Sequence, residues 1–86
     1  MIDKLRKEID SVDAQLVQLV GKRMELSRKI GNEKAASGED IHIKTREIAV
    51  LDQVKLEGNR VGLEDEFVTD LYQVILAESR RIQGAE

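Results

Sequence analysis

The stretch IDKLRKEIDSVDAQLVQLVGKRMELSRKIGNEKAA, residues 2–36, decides the fold. Its apolar residues Ile2, Leu5, Ile9, Val12, Leu16, Leu19, Leu26 and Ile30 recur at alternating spacings of three and four, broken only at Arg23. Such spacing lines them up on one face of a single helix, in the manner of a heptad stripe. The chain has no proline to interrupt the run. Gly21 and Gly31 weaken it slightly. The first stop is Ala36-Ser37-Gly38, where Gly38 offers the left-handed conformation that ends helices. The spacing therefore predicts a helix over about residues 2–36.

That length sets the architecture. At 1.5 Å per residue the helix is about 50 Å long, whereas a compact domain of this size has a radius of gyration of about 12 Å. The helix must outrun its own monomer. An apolar stripe left in water invites aggregation, and a second copy of the chain is the simplest cover. The expectation is an obligate helical homodimer that shares this helix.

Outward from it, Ile48, Leu51 and Val54 mark a second helix over about residues 45–57, with Gly58-Asn59 as its stop. A third, over about residues 64–83, carries Phe67, Leu71, Val74, Ile75 and Ile82 at helical spacing. Glu64, Asp65 and Glu66 fill its first turn, where the macrodipole favours acids, and Gly84 follows its end. Between the first two, Ile41 and Ile43 alternate with polar residues but are too few for a strand. The reading is one all-α domain over residues 1–86, with three helices per chain.

Composition narrows the function. Fourteen Lys and Arg against seventeen Asp and Glu leave a net charge of −3, and the aromatics are only Phe67 and Tyr72. Neither a basic excess nor stacking rings are present for a nucleic-acid surface. With no Cys and one His, His42, read as a loop surface residue, the chain lacks the parts for disulfides, zinc sites or a Cys/His or Ser/His nucleophile pair. The opening MIDKLRKEID mixes charges with aliphatics and is neither a secretory signal nor a membrane span, so the expected setting is cytoplasmic.

Several polar residues stand in apolar places. Arg23 fills the gap in the stripe, where a guanidinium must pair with a carboxylate such as Asp13 or Glu25, reach solvent, or bind an anion. Lys34, eleven residues on, lies on nearly the same side. Arg46-Glu47 sits at the edge of the second helix's apolar face, and Ser79 and Gln83 share a face of the third with Tyr72, Ile75 and Leu76. Each alone reads as an ordinary surface pair, a solvated lysine or a wet helix end. Together, three helices aim polar groups at one core, which suits a small polyanionic ligand and does not suit hydrolysis.

At this point the chain resembles the all-helical chorismate mutases. The resemblance rests on Leu5-Arg6-Lys7-Glu8-Ile9-Asp10 with Asp13, the run from Leu19 to Lys34, Arg46-Glu47, and Glu78-Ser79 with Gln83, in that order. It implies an intertwined dimer of three-helix chains that rearranges chorismate to prephenate, the committed step toward phenylalanine and tyrosine, with no cofactor and no metal. It also implies roles. Arg23, with Arg6 from the other subunit, would hold the two substrate carboxylates. Lys34 and Gln83 would donate to the ether oxygen, and Glu47, assisted by Lys34, would hold the ring hydroxyl. Arg46 and Ser79 would complete the polar wall. The family commonly carries a proline before its second helix, where this chain has Glu39-Asp40-Ile41, and often an Asp at the position of Ile43.

Two rivals share the fold. An isochorismate pyruvate-lyase binds a similar dianion but releases pyruvate, and Glu47 with Ser79 favours the mutase. A catalytically silent dimerisation or regulatory module would use the long helix only as a coiled coil, and Arg23 in the seam argues against it, since Leu or Ile there would be more stabilising.

Overall fold

The computed structural model describes residues 1–37 and 43–84, without the side chains of Ser37 and Ile43. These residues form three helices, α1 (Ile2–Ser37), α2 (Ile43–Arg60) and α3 (Asp65–Gln83), and no strand. The Gly38 stop, the readings of Ile41 and His42, and the side chain of Ile43 lie outside the described residues. Along its 36 residues α1 covers the molecule's 55 Å longest dimension.

The second helix runs past the stop read from the sequence, through Gly58 and Asn59 to Arg60. Gly58 is instead a packing residue. A Cβ there would lie 2.8 Å from Cγ2 of Val68, so the missing side chain lets α2 and α3 close on each other. The chain reverses at Gly62, whose φ of 82° belongs to the left-handed region. The Leu63 N–H donates to the Gly58 carbonyl at 2.9 Å and the Gly62 N–H to that of Asn59 at 3.3 Å, which satisfies carbonyls the helix end would leave orphaned. Helix α3 then starts after extended Glu64, carries Asp65 and Glu66 in its first turn, and closes on Gly84 at φ 78°.

Helix α3 packs against both α1 and α2, whose backbones make no approach to each other among the described residues. A cleft therefore stays open between α1 and α2, floored by α3. Among the described residues the buried apolar core is small, consisting of Val50, Val68 and Leu76, and it is joined by the buried serines Ser27 and Ser79.

On α1 only the C-terminal half is covered by its own chain. Residues 1–19 are all exposed, whereas Val20, Arg23, Met24, Ser27, Gly31 and Lys34 are buried or half-buried. The stripe residues Ile2, Leu5, Ile9, Val12, Leu16, Leu19, Leu26 and Ile30 keep between 48% and 64% of their surface in water. At 100° per residue, the stripe and the covered face lie side by side on the helix, with Arg23 and Lys34 along their border.

Candidate active site

The cleft holds a cavity of about 260 Å³. Arg23 and Lys34 of α1, Arg46 and Glu47 of α2, and Ser79 and Gln83 of α3 line it, as do Leu26 and Ile30 of the apolar stripe. Arg6 is not among them. It lies 28 residues before Lys34 on the same helix, which amounts to about 42 Å.

Arg23 forms no ion pair with Asp13 or Glu25. Glu25 takes Lys29 at 3.7 Å, and the Arg23 guanidinium lies 5.8 Å from the centroid of the Tyr72 ring. A cation over an aromatic face is held without losing its charge to a carboxylate, so Arg23 remains a donor to a ligand. On its far side Arg23 borders, with Arg46 and Tyr72, an adjoining hollow of about 230 Å³.

Glu47 is not paired with its neighbour Arg46. One η nitrogen of Arg80 donates to both its carboxylate oxygens, at 2.6 Å each, across 33 residues of sequence. Arg46 is exposed at the cavity rim. Arg80 also lines the cavity and escaped the reading of the sequence, because a basic residue in a helix's last turn is already accounted for by the macrodipole. Its spacing from Leu76 and Gln83, four and three residues, was the available signal. The next residue, Arg81, faces outward and clasps Glu78 at 2.7 Å, which holds the exposed Glu78 carboxyl below its ordinary range.

Ser79 is buried, and its hydroxyl shares a 2.6 Å hydrogen bond with Ser27 of α1. The Gln83 amide donates to the same hydroxyl at 3.4 Å. Ser27, a second wall residue absent from the sequence reading, thus fixes α3 to α1 and sets the rotamer beneath Gln83. Gly31 completes that arrangement. A Cβ there would meet the Gln83 Cα at 2.9 Å, so the end of α3 reaches α1 only because Gly31 has no side chain.

Four cations, Arg23, Lys34, Arg46 and Arg80, therefore border one cavity with one carboxylate, Glu47, in a chain whose net charge is −3. Local potential decides what a cleft attracts, and this one favours a small anion. Among the described residues no cluster of His, Cys, Asp or Glu is placed to hold a metal ion, and no helix is long and apolar enough to cross a membrane.

Comparison with known proteins places the chain in a family. The family described as chorismate mutase type II matches residues 5–84. The T-protein of Haemophilus influenzae is 39% identical over 75 residues, 87% of this chain and 20% of the relative. The intracellular chorismate mutase of Mycobacterium tuberculosis is 42% identical over 52 residues, 60% of this chain and 50% of the relative. The 4-amino-4-deoxychorismate mutase of Streptomyces venezuelae is 29% identical over 82 residues, 95% of this chain and 80% of the relative. The chain spans about a fifth of the length of the T-proteins it matches. No solved structure matches it significantly.

Proposed function

The chain belongs to the chorismate mutase type II family, and from that premise we propose that it rearranges chorismate to prephenate in two sites shared by a homodimer. The observation that carries the reading is the cavity where α1, α2 and α3 bring cations and one carboxylate together.

The dimer follows from the stripe. Its positions, the gap at Arg23 included, are nearly symmetric about Leu16: Ile2 and Ile30 lie fourteen residues to either side, Ile9 and Arg23 seven. Two α1 helices lying antiparallel about a two-fold axis at Leu16 would each cover the other's stripe. In that register the partner subunit's Arg6, ten residues before Leu16, falls opposite Leu26, ten after it. Leu26 and Ile30 belong both to the stripe and to the cavity wall, so the arm that covers one closes the other. A single chain has no route for its own Arg6 to the cavity it would complete.

The reaction is unimolecular, so catalysis asks for confinement and charge, not for a nucleophile. Arg23 and the partner subunit's Arg6 clamp the two substrate carboxylates and fold the side chain over the ring. As the ether C–O bond breaks ahead of C–C bond formation, negative charge grows on the oxygen. The Lys34 ammonium and the Gln83 amide meet that oxygen and favour the transition state over the substrate. Glu47 accepts the ring hydroxyl with Lys34 beside it, Arg46 extends the cationic wall, and Ser79 completes the wall while orienting Gln83. The domain is one catalytic unit, and its setting is cytoplasmic, in keeping with the name of the intracellular mycobacterial relative.

The test mixes purified protein with chorismate and follows loss of the diene absorbance, with a pyruvate assay alongside. Loss without pyruvate, reduced about 10²–10³-fold in Lys34→Ala as for other removed oxyanion donors, is the expected result. Pyruvate release would move the chain to the lyase reading, and no reaction from a folded dimer would overturn catalysis altogether.

A further inference from the structure

The Glu47–Arg80 pair has a consequence for which substrate the site accepts. We propose that Arg80 is a positioning residue that, by holding Glu47, makes the site select a neutral ring hydroxyl over a ring ammonium; this rests on the function proposed above.

Glu47 stands on α2 and Arg80 on α3, and both line the cavity. The pair is partly withdrawn from water, with side-chain exposures of 36% for Arg80 and 21% for Glu47. A guanidinium nitrogen shared between both carboxylate oxygens is a charge-assisted contact of the strong kind. It fixes the carboxylate in place and occupies one acceptor direction on each oxygen, leaving the others for a ligand.

The charge balance then decides what that ligand is. A hydroxyl donates to a carboxylate whose charge is already matched and brings no charge of its own. An ammonium at the same spot needs the carboxylate's charge for itself, yet finds it shared with Arg80 and finds Arg23, Lys34 and Arg46 around the same small cavity. Like charges a few ångströms apart in a partly desolvated site repel strongly. Arg80 thus acts against the wrong substrate as much as for the right one, which is how specificity between near-isosteres is commonly achieved. Without Arg80, Glu47 becomes an unshared anion suited to a cation.

The probe is 4-amino-4-deoxychorismate, which differs from chorismate by an amine in place of the hydroxyl and is substantially protonated at neutral pH. The experiment compares kcat/KM for the two compounds in the wild-type protein, Arg80→Leu, Arg80→Lys, and Arg80→Leu in a Glu47→Gln background. The wild type should prefer chorismate. In Arg80→Leu the preference should fall by about tenfold or more, largely through a lower KM for the amine, a change of about 1.4 kcal/mol per factor of ten. Arg80→Lys should restore most of the preference, and in Glu47→Gln the removal of Arg80 should no longer move it. Should Arg80→Leu fail to fold, Arg80→Gln keeps the polar volume and should shift the preference in the same direction. An equal loss for both compounds, an unmoved ratio, or a shift that persists in Glu47→Gln overturns the proposal while leaving the mutase reading intact. A folded wild-type dimer that converts neither compound sinks both.

Discussion

Gln83 is a neutral amide at a place where a carboxyl would tie turnover to acid. In the role proposed for it, an amide N–H donates to the ether oxygen at every pH, whereas a Glu would donate only while protonated. The wild-type protein should therefore keep its kcat from pH 6 to 8, and a steep loss across that range would remove Gln83 from its assigned role. The variant Gln83→Glu should reverse this. Its active form is the protonated acid, so kcat/KM should rise as pH falls and decline by about tenfold per pH unit above the new group's pKa. Single residues were legible in proportion to how odd they looked. Arg23 in an apolar stripe and Lys34 eleven residues on announced themselves by position, and both line the cavity. Ser27 announced nothing, because a mid-helix serine is unremarkable until Ser79 lies 2.6 Å from it. The true partner of Glu47 was hidden for a related reason: Arg46 stands next to it in sequence, while Arg80 meets it only after α2 and α3 have packed.

At the scale of elements, the site depends on how closely two helices approach. Gly31 sits where α1 meets the end of α3, and a methyl group there would lie 2.9 Å from the Gln83 backbone and 3.3 Å from its Cβ. Backbone cannot step aside as a flexible side chain does. Gly31→Ala should leave α1 helical, even favouring it by about 0.5–1 kcal/mol in local propensity, yet push Gln83 outward. A displacement near 1 Å at a catalytic donor costs about 10²-fold, so kcat should fall by one to two orders of magnitude while helical content by circular dichroism is unchanged. Wild-type kcat in Gly31→Ala would show that the end of α3 does not need this approach. The same reasoning explains an element that the sequence misplaced. From sequence alone a glycine reads as a stop, and Gly58-Asn59 does so here, but Gly58 serves the contact with Val68, and the left-handed turn falls four residues later at Gly62. Periodicity reveals that a helix exists; whether a glycine ends it or receives a neighbour is decided by packing that only the fold brings about.

The whole molecule is extended for a single chain of its length. Its 6969 Å² of accessible surface exceeds by about 1,800 Å² what a compact chain of 86 residues exposes, and its radius of gyration is 15.7 Å against about 12 Å for a compact chain. If two copies each buried that excess, the interface would total about 3,600 Å², within the range of obligate dimers. The stripe was visible in the sequence because heptad spacing needs no tertiary information, and so was the reason for a partner. The part proposed above for that partner at the cavity was not, because only the fold puts Leu26 and Ile30 in the cavity wall. Light scattering should return the mass of two chains with no stable folded monomer on dilution. A sharper consequence concerns Arg6 and Lys34, which the proposed antiparallel register would assign to the same site from different subunits. Arg6→Ala and Lys34→Ala should each be nearly inactive as homodimers. Unfolded together in equal amounts and refolded, half of the dimers should be mixed, and in each of those one site collects both substitutions while the other is wild type in both positions. Activity should then recover to about a quarter of the wild-type value. A site built within one chain gives no recovery, because every site in the mixture would carry one of the two lesions.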